Sequence, residues 1–127
     1  MNKPEPVTLR NPHVRLEPLT AAHVPALARV GLDPALWPWI PAPITSIDGM
    51  RDYVARALDE QVRGQSLPFA IVDAQREEVV GTTRYAAIDV PNRRLEIGWT
   101  WVALAWQRRG ANREAKYLQL QIGRAHV

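Results

Sequence analysis

A chain of 127 residues, 46% of them apolar and 23% charged, has room for one domain with one modest core. The absence of cysteine excludes disulfides, thiolate nucleophiles and cysteine-ligated metals, and His13, His23 and His126 show no local ligand spacing, so no metal is expected. The net charge of +3 comes mostly from arginines with Asp59, Glu60, Glu77, Glu78, Glu96 and Glu114 scattered among them, which argues against a nucleic-acid partner; no apolar run approaches a membrane span and the N-terminus lacks the apolar core of a secretory signal, so a cytoplasmic location without a membrane partner is expected.

Residues 1–12, with Pro4, Pro6 and Pro12, read as a flexible lead-in. His13-Val-Arg-Leu-Glu-Pro-Leu19 alternates as a first strand, with Val14 and Leu16 on one face. Thr20 then caps a helix over 21–30 in which Val24, Leu27 and Ala28 share a side. Pro25 is tolerated only in or near its first turn, and Gly31 ends it. Residues 33–44, DPALWPWIPAPI, are proline-rich yet carry Trp37, Trp39 and Ile40, too much apolar weight for a disordered linker. An ordered loop is expected there, its two tryptophans either lining a pocket or plugging the core beneath.

Thr45-Ser-Ile-Asp48 has the form of a capping box with Asp in place of Glu, ahead of Met50, Tyr53, Val54, Ala57, Leu58 and Val62 at helical steps. Gly64 ends this second helix. A hairpin follows, with strands over 68–73 and 78–88 joined by a turn at Ala74-Gln-Arg-Glu-Glu78. After a further turn over 89–94, Leu95–Val102 forms a third strand of the series. In it Leu95, Ile97, Trp99 and Trp101 alternate with Glu96, Gly98 and Thr100, which predicts one apolar face and one small, polar face. An amphipathic helix opens at Asn112. Its continuation, Gln121-Ile-Gly-Arg-Ala-His-Val127, can be encoded from residue 122 onward by ATC GGA AGA GCA CAC GTC, a string shared with a sequencing-library adapter. A non-native tail over 121–127 is therefore expected, the alternative being a natural C-terminus.

The stretch Trp106-Gln-Arg-Arg-Gly-Ala-Asn-Arg-Glu-Ala-Lys116 joins the last strand to that helix. A basic turn of this kind can be a solvated helix face, a nucleic-acid contact or an anion cradle. The unpaired N–H groups of a helix start suit phosphate, Gly110 permits close approach, and Arg108, Arg109 and Arg113 add positive charge. The combination fits a pyrophosphate better than a duplex, although a plain strand-to-helix turn has the same spacing.

The order of elements and the run RRLEIGWTWVALAWQRRGANREAKYL resemble the GCN5-related N-acetyltransferases, in particular the branch that includes the ribosomal-protein alanine acetyltransferases RimJ and RimL. The likeness extends from about Val14 through RLEPLT, the Leu-Trp loop, PFAIVD and VVGTTRY to the helix after Gly110. It implies an α/β (α+β) fold, a mainly antiparallel sheet flanked by helices. Acetyl-CoA would be the co-substrate, and the acceptor a primary amine of a protein N-terminus, an amino acid or a small molecule, attacking directly without an acyl-enzyme.

By this resemblance Gln107, Gly110 and Asn112 fill the first, fourth and sixth positions of the loop whose amides bind the pyrophosphate, with Arg108, Arg109 and Ala111 in the same turn. Asn112 departs from the usual Gly or Ala. Trp101, Val102 and Ala103, at the bulged end of the preceding strand, would pair with the pantetheine arm and aim an amide at the thioester carbonyl. Glu96 matches the position where some relatives carry a general base, and a surface or arginine-paired glutamate is its other reading. Tyr85 is either a polar wall of the amine pocket or core, and Trp37 and Trp39 fall where the early loop helps form the acceptor site.

The family's splayed fifth strand, and the following helix with its proton-donating Tyr or Ser, have no counterpart in these residues. Residues 13–120 are thus expected to be the N-terminal two-thirds of such a domain, lacking the C-terminal strands and helix and inactive alone. The open strand edge leaves room for a homodimer. The alternative is a non-catalytic acyl-CoA-binding or partner-binding fragment.

Overall fold

The computed structural model describes residues 7–32, 44–89, 94–103, 106 and 110–126, the side chains of 87–89, 94–96, 98, 99, 112 and 121–126 excepted. Among the described residues, five strands form one sheet in chain order, β1 (Leu9–Arg10), β2 (Val14–Pro18), β3 (Leu67–Asp73), β4 (Glu78–Asp89) and β5 (Arg94–Val102), each antiparallel to its neighbour. Three α-helices accompany them, α1 (Val24–Gly31), α2 (Ile47–Val62) and α3 (Ala111–His126).

The lead-in expected over 1–12 gives way to β1 at its end. Leu9 is buried opposite Leu16, and the Asn11 side-chain oxygen accepts from the His13 and Val14 amides, closing a tight turn. Before α1 the Thr20 amide donates to His23 Nδ1 at 3.0 Å, closing a short 3-10 turn at Ala21–His23. The α-helix then begins at Val24, which puts Pro25 in the first turn, where its missing N–H leaves no helical bond unmade. Ser46, rather than Thr45, caps α2: its hydroxyl accepts from the Gly49 amide at 3.0 Å. The expected box is not formed, because the residue three beyond Ser46 is Gly49, which has no side chain to return the bond; Asp48 in the first turn pairs with Arg51 instead. Met50, Val54 and Ala57 carry the core face of α2, while Val62 is exposed.

The sheet separates two cores. On one face Ala111, Ala115 and Leu118 of α3 pack with Leu16, Phe69, Tyr85 and Val102. On the other, Leu27 of α1 and Met50, Val54 and Ala57 of α2 surround Ala70 and Trp101. Each large side chain so buried contributes about 1.5–3 kcal/mol.

β5 does not keep its alternation. Gly98 lies opposite Arg84 and Trp101 opposite Thr82, so two residues of β5 span what one residue of β4 spans, a β-bulge. Ile97 and Val102 therefore pack on the α3 side, while Trp101 turns toward α1 and α2. The single apolar face expected to hold both Ile97 and Trp101 is divided by the bulge. Gly81 makes room for it, since a Cβ there would press on the Trp101 carbonyl oxygen and lie 2.9 Å from Val102 Cα.

On the surface, Arg15 meets Glu17 at 2.8 Å and Glu77 at 2.9 Å, and Glu17 also meets His23 Nε2 at 3.2 Å. Partial burial pushes the Glu17 carboxyl up, but hydrogen bonds from His23 and Arg15 outweigh it and hold the group below its ordinary 4.5. A carboxyl depressed in the folded state stabilises above its unfolded pKa, and that contribution is lost as pH falls through the folded value.

Two outcomes are expected. Gly81→Ala should destabilise by about 1–3 kcal/mol, since only backbone movement relieves the contact, and the urea midpoint reads this directly. Glu17→Gln should lower stability at pH 7 by about 0.2–1 kcal/mol, and the difference should shrink as acid protonates the wild-type carboxyl; urea titrations over a descending pH series check it.

Candidate active site

Gly110 has φ +79°, in the left-handed region where glycine carries no steric penalty. Its carbonyl accepts the Glu114 amide at 3.0 Å, so α3 starts from it. The first-turn amides of a helix have no helical acceptors, and the helix dipole concentrates positive potential there. Ala111 is buried against the sheet and fixes where that helix end sits. Arg113 folds back, its Nη2 only 3.0 Å from where a Cβ on residue 110 would stand. Positive potential from two sources converges on one turn, which is the donor set a phosphate or pyrophosphate requires.

Of the other residues expected in this loop, Gln107, Arg108 and Arg109 lie outside the described residues. Asn112 lies in the first turn of α3, its side chain outside them. Trp106 precedes the loop; its amide donates to the Ala103 carbonyl at 2.9 Å, and the Arg76 guanidinium stands 6.0 Å from its ring.

The side chains of Trp101, Val102 and Ala103 are all buried, so only main chain is on offer where cofactor contacts were expected. One of those amides is committed within the sheet: Ala103 N donates to the Val80 carbonyl at 2.7 Å. It is therefore not the amide expected to face a thioester.

Glu96 lies in β5 with its main chain paired to Ala86 of β4. Its carboxylate lies outside the described residues, as do Trp37 and Trp39. Tyr85 is a core residue. It packs edge-on to Phe69 at 5.9 Å between centroids, and its hydroxyl donates to the Gln119 carbonyl at 2.6 Å beneath α3.

A polar strip on the α2 side went unnoticed in the sequence. Arg84 Nη1 meets Glu60 Oε1 at 2.8 Å, the guanidinium lies 5.4 Å from the Tyr53 ring centroid, and the Tyr53 hydroxyl is 3.1 Å from Thr82 Oγ1. Arg84 is only 5% exposed, and a charge this buried is tolerated when it is paired. The available signal was the seven-residue step from Tyr53 to Glu60 on α2, matching the two-residue step from Thr82 to Arg84 on β4. Among the described residues no three His, Asp or Glu side chains converge on a metal position, and no helix is long and apolar enough to cross a membrane.

Comparison with known proteins agrees with this architecture. Residues 13–127 match the family model of the acetyltransferase (GNAT) domain. The uncharacterised N-acetyltransferase p20 of Bacillus licheniformis is 35% identical over 57 residues, covering 45% of this chain and 32% of that protein. A GCN5-related N-acetyltransferase from Brucella melitensis superposes with a TM-score of 0.84 at 27% identity, over 96% of this chain and 56% of its own. An acetyltransferase from Salmonella typhimurium that modifies the N-terminal serine of ribosomal protein L7/L12 shares the fold, with a TM-score of 0.79 at 20% identity over 94% of this chain and 69% of its own. The chain spans about a third of the first of these relatives and little more than half of the second. With nearly its whole length inside the family match, the chain belongs to the GNAT acetyltransferases.

Proposed function

We propose that this chain contributes the cofactor-loop side of an acetyl-CoA-dependent N-acetyltransferase whose acceptor is a primary amine. The observation that carries the reading is the start of α3: a left-handed Gly110 and a folded-back Arg113 at a helix N-terminus that follows directly on the bulged strand. When bound, acetyl-CoA supplies the acyl group as a thioester. The α3 amides and Arg113 hold the pyrophosphate, and the β5 main chain beyond the bulge offers an edge along which an extended ligand can pair. Glu96 accepts the proton that the amine gives up on forming its new bond to the acyl carbon, directly or through a water, while the carbon–sulfur bond breaks and the thiolate leaves.

In the complete gene product, Gly110→Val should weaken CoA binding by about one to a few kcal/mol, because the new side chain is strained at positive φ and meets Arg113. Calorimetric titration with CoA reads this, and an unchanged affinity would remove the pyrophosphate from this turn. Glu96→Gln should lower kcat by roughly ten- to a thousandfold at neutral pH with little effect on CoA affinity, the loss shrinking as alkaline pH supplies free amine. A pH–rate profile identical to wild type would leave Glu96 a structural residue.

A further inference from the structure

Within the largely apolar core beneath α3, three polar side chains form a line. Thr100, in the β5 bulge, lies 2.6 Å from Thr83 Oγ1 of β4, and Thr83 Oγ1 donates to Gln119 Oε1 of α3 at 2.9 Å. A threonine hydroxyl has one proton, and that of Thr83 is on Gln119, so Thr100 is the donor of the first bond. The line thus runs from the bulge through β4 to the helix. Thr83 is 1% exposed and Gln119 0%. Gln119 Nε2 has no hydrogen-bond partner, and turning the carboxamide over merely transfers the unpartnered end to the oxygen.

Stability does not account for this arrangement. An unpartnered buried amide group costs about 1–3 kcal/mol, and replacing bonded polar partners by apolar groups of the same shape is often neutral or favourable. Position does account for it. Apolar side chains on both faces of β5 define weakly where an extra residue should sit, whereas a hydroxyl at 100 that must reach Thr83 admits one place. Gln119 is tied to β4 a second time, through its carbonyl and the Tyr85 hydroxyl at 2.6 Å. Sliding α3 along its axis, or turning it, would break both ties.

We propose that Thr83 and Gln119 are positioning residues that lock the β5 bulge in register with α3, so that the main chain at 98–103 and the helix start at Gly110 keep the spacing that a ligand contacting both requires. The ligand half of this proposal rests on the acetyl-CoA reading above; the lock itself does not.

The test uses the complete gene product with Thr83→Val combined with Gln119→Leu, and Thr83→Ser alone as the conservative change. Urea unfolding, amide hydrogen exchange over 98–103 and CoA titration are measured on each. The double variant should unfold at a urea concentration no lower than wild type, yet exchange about tenfold faster over 98–103 and bind CoA about tenfold more weakly; Thr83→Ser should match wild type. Unchanged exchange in a folded double variant would overturn the lock, and loss of its cooperative unfolding would overturn it too, by assigning the line to stability. Faster exchange with unchanged CoA affinity would overturn the ligand half alone. Faster exchange in a protein whose wild type binds no CoA would support the lock and sink the acetyl-CoA reading instead.

Discussion

Between Gly98 and Trp101, β5 holds one residue more than the strand it pairs with, and the rest of the molecule is arranged around that surplus. Without it Trp101 would share a face with Ile97 and the indole would compete with α3 for space. With it the indole enters the core of α1 and α2, Val102 enters the core of α3, and the two hydrophobic clusters meet only across the sheet. The surplus also brings the β5 main chain close to β4, where Gly81 offers no side chain to obstruct it. A sheet with strict alternation could bury the same residues, but not with these helices where they are.

The elements that follow from local chemistry were legible in the sequence. Turn residues bounded the hairpin of β3 and β4, the apolar steps from Met50 to Ala57 marked the face of α2, and Gly110 announced a break between strand and helix. What depended on contact between distant segments was not. Alternation assigned Trp101 to one face because a bulge has no local signature; the family resemblance pointed to a bulged strand end, but which residues it displaces is decided by the partner strand. Leu9 looked like part of a frayed end because its segment holds Pro4, Pro6 and Pro12, and only its pairing with Leu16 buries it. Gln119 carried a usable clue, since it follows Ala115 by one helical turn and so falls on the buried side of α3. Of the site, the glycine and the helix start were legible. Tyr85 was not assigned, because a tyrosine on a strand suits a core and a pocket wall equally until its face is known.

Polar groups are distributed unevenly over the sheet. Where β2 meets β3 on the α3 side, the interior is Val14, Leu16, Phe69 and Ile71, all apolar. Where β4 meets β5, each face carries buried polar contacts, Arg84 with Glu60 and Tyr53 on one and Thr83 with Gln119 and Thr100 on the other. A hydrophobic interface tolerates small slips at little cost, whereas directional bonds in a low-dielectric interior do not. The half of the sheet that leads to Gly110 and the start of α3 is therefore the half whose geometry is most tightly specified.

Gly31 and Trp101 show how such specification spreads through a sequence. The indole stands where a Cβ on residue 31 would be, 2.5 Å from its ideal position, with the Met50 methyl at 2.8 Å. Residues 70 positions apart are in this way coupled by volume. A larger residue at 31 can be accommodated only if the ring at 101 shrinks or the end of α1 withdraws, and a smaller residue at 101 leaves a void that a side chain at 31 can fill. The two positions form a size-compensating pair: across related chains their volumes should vary in opposite directions, and the helix that ends in glycine should accompany the strand that carries tryptophan.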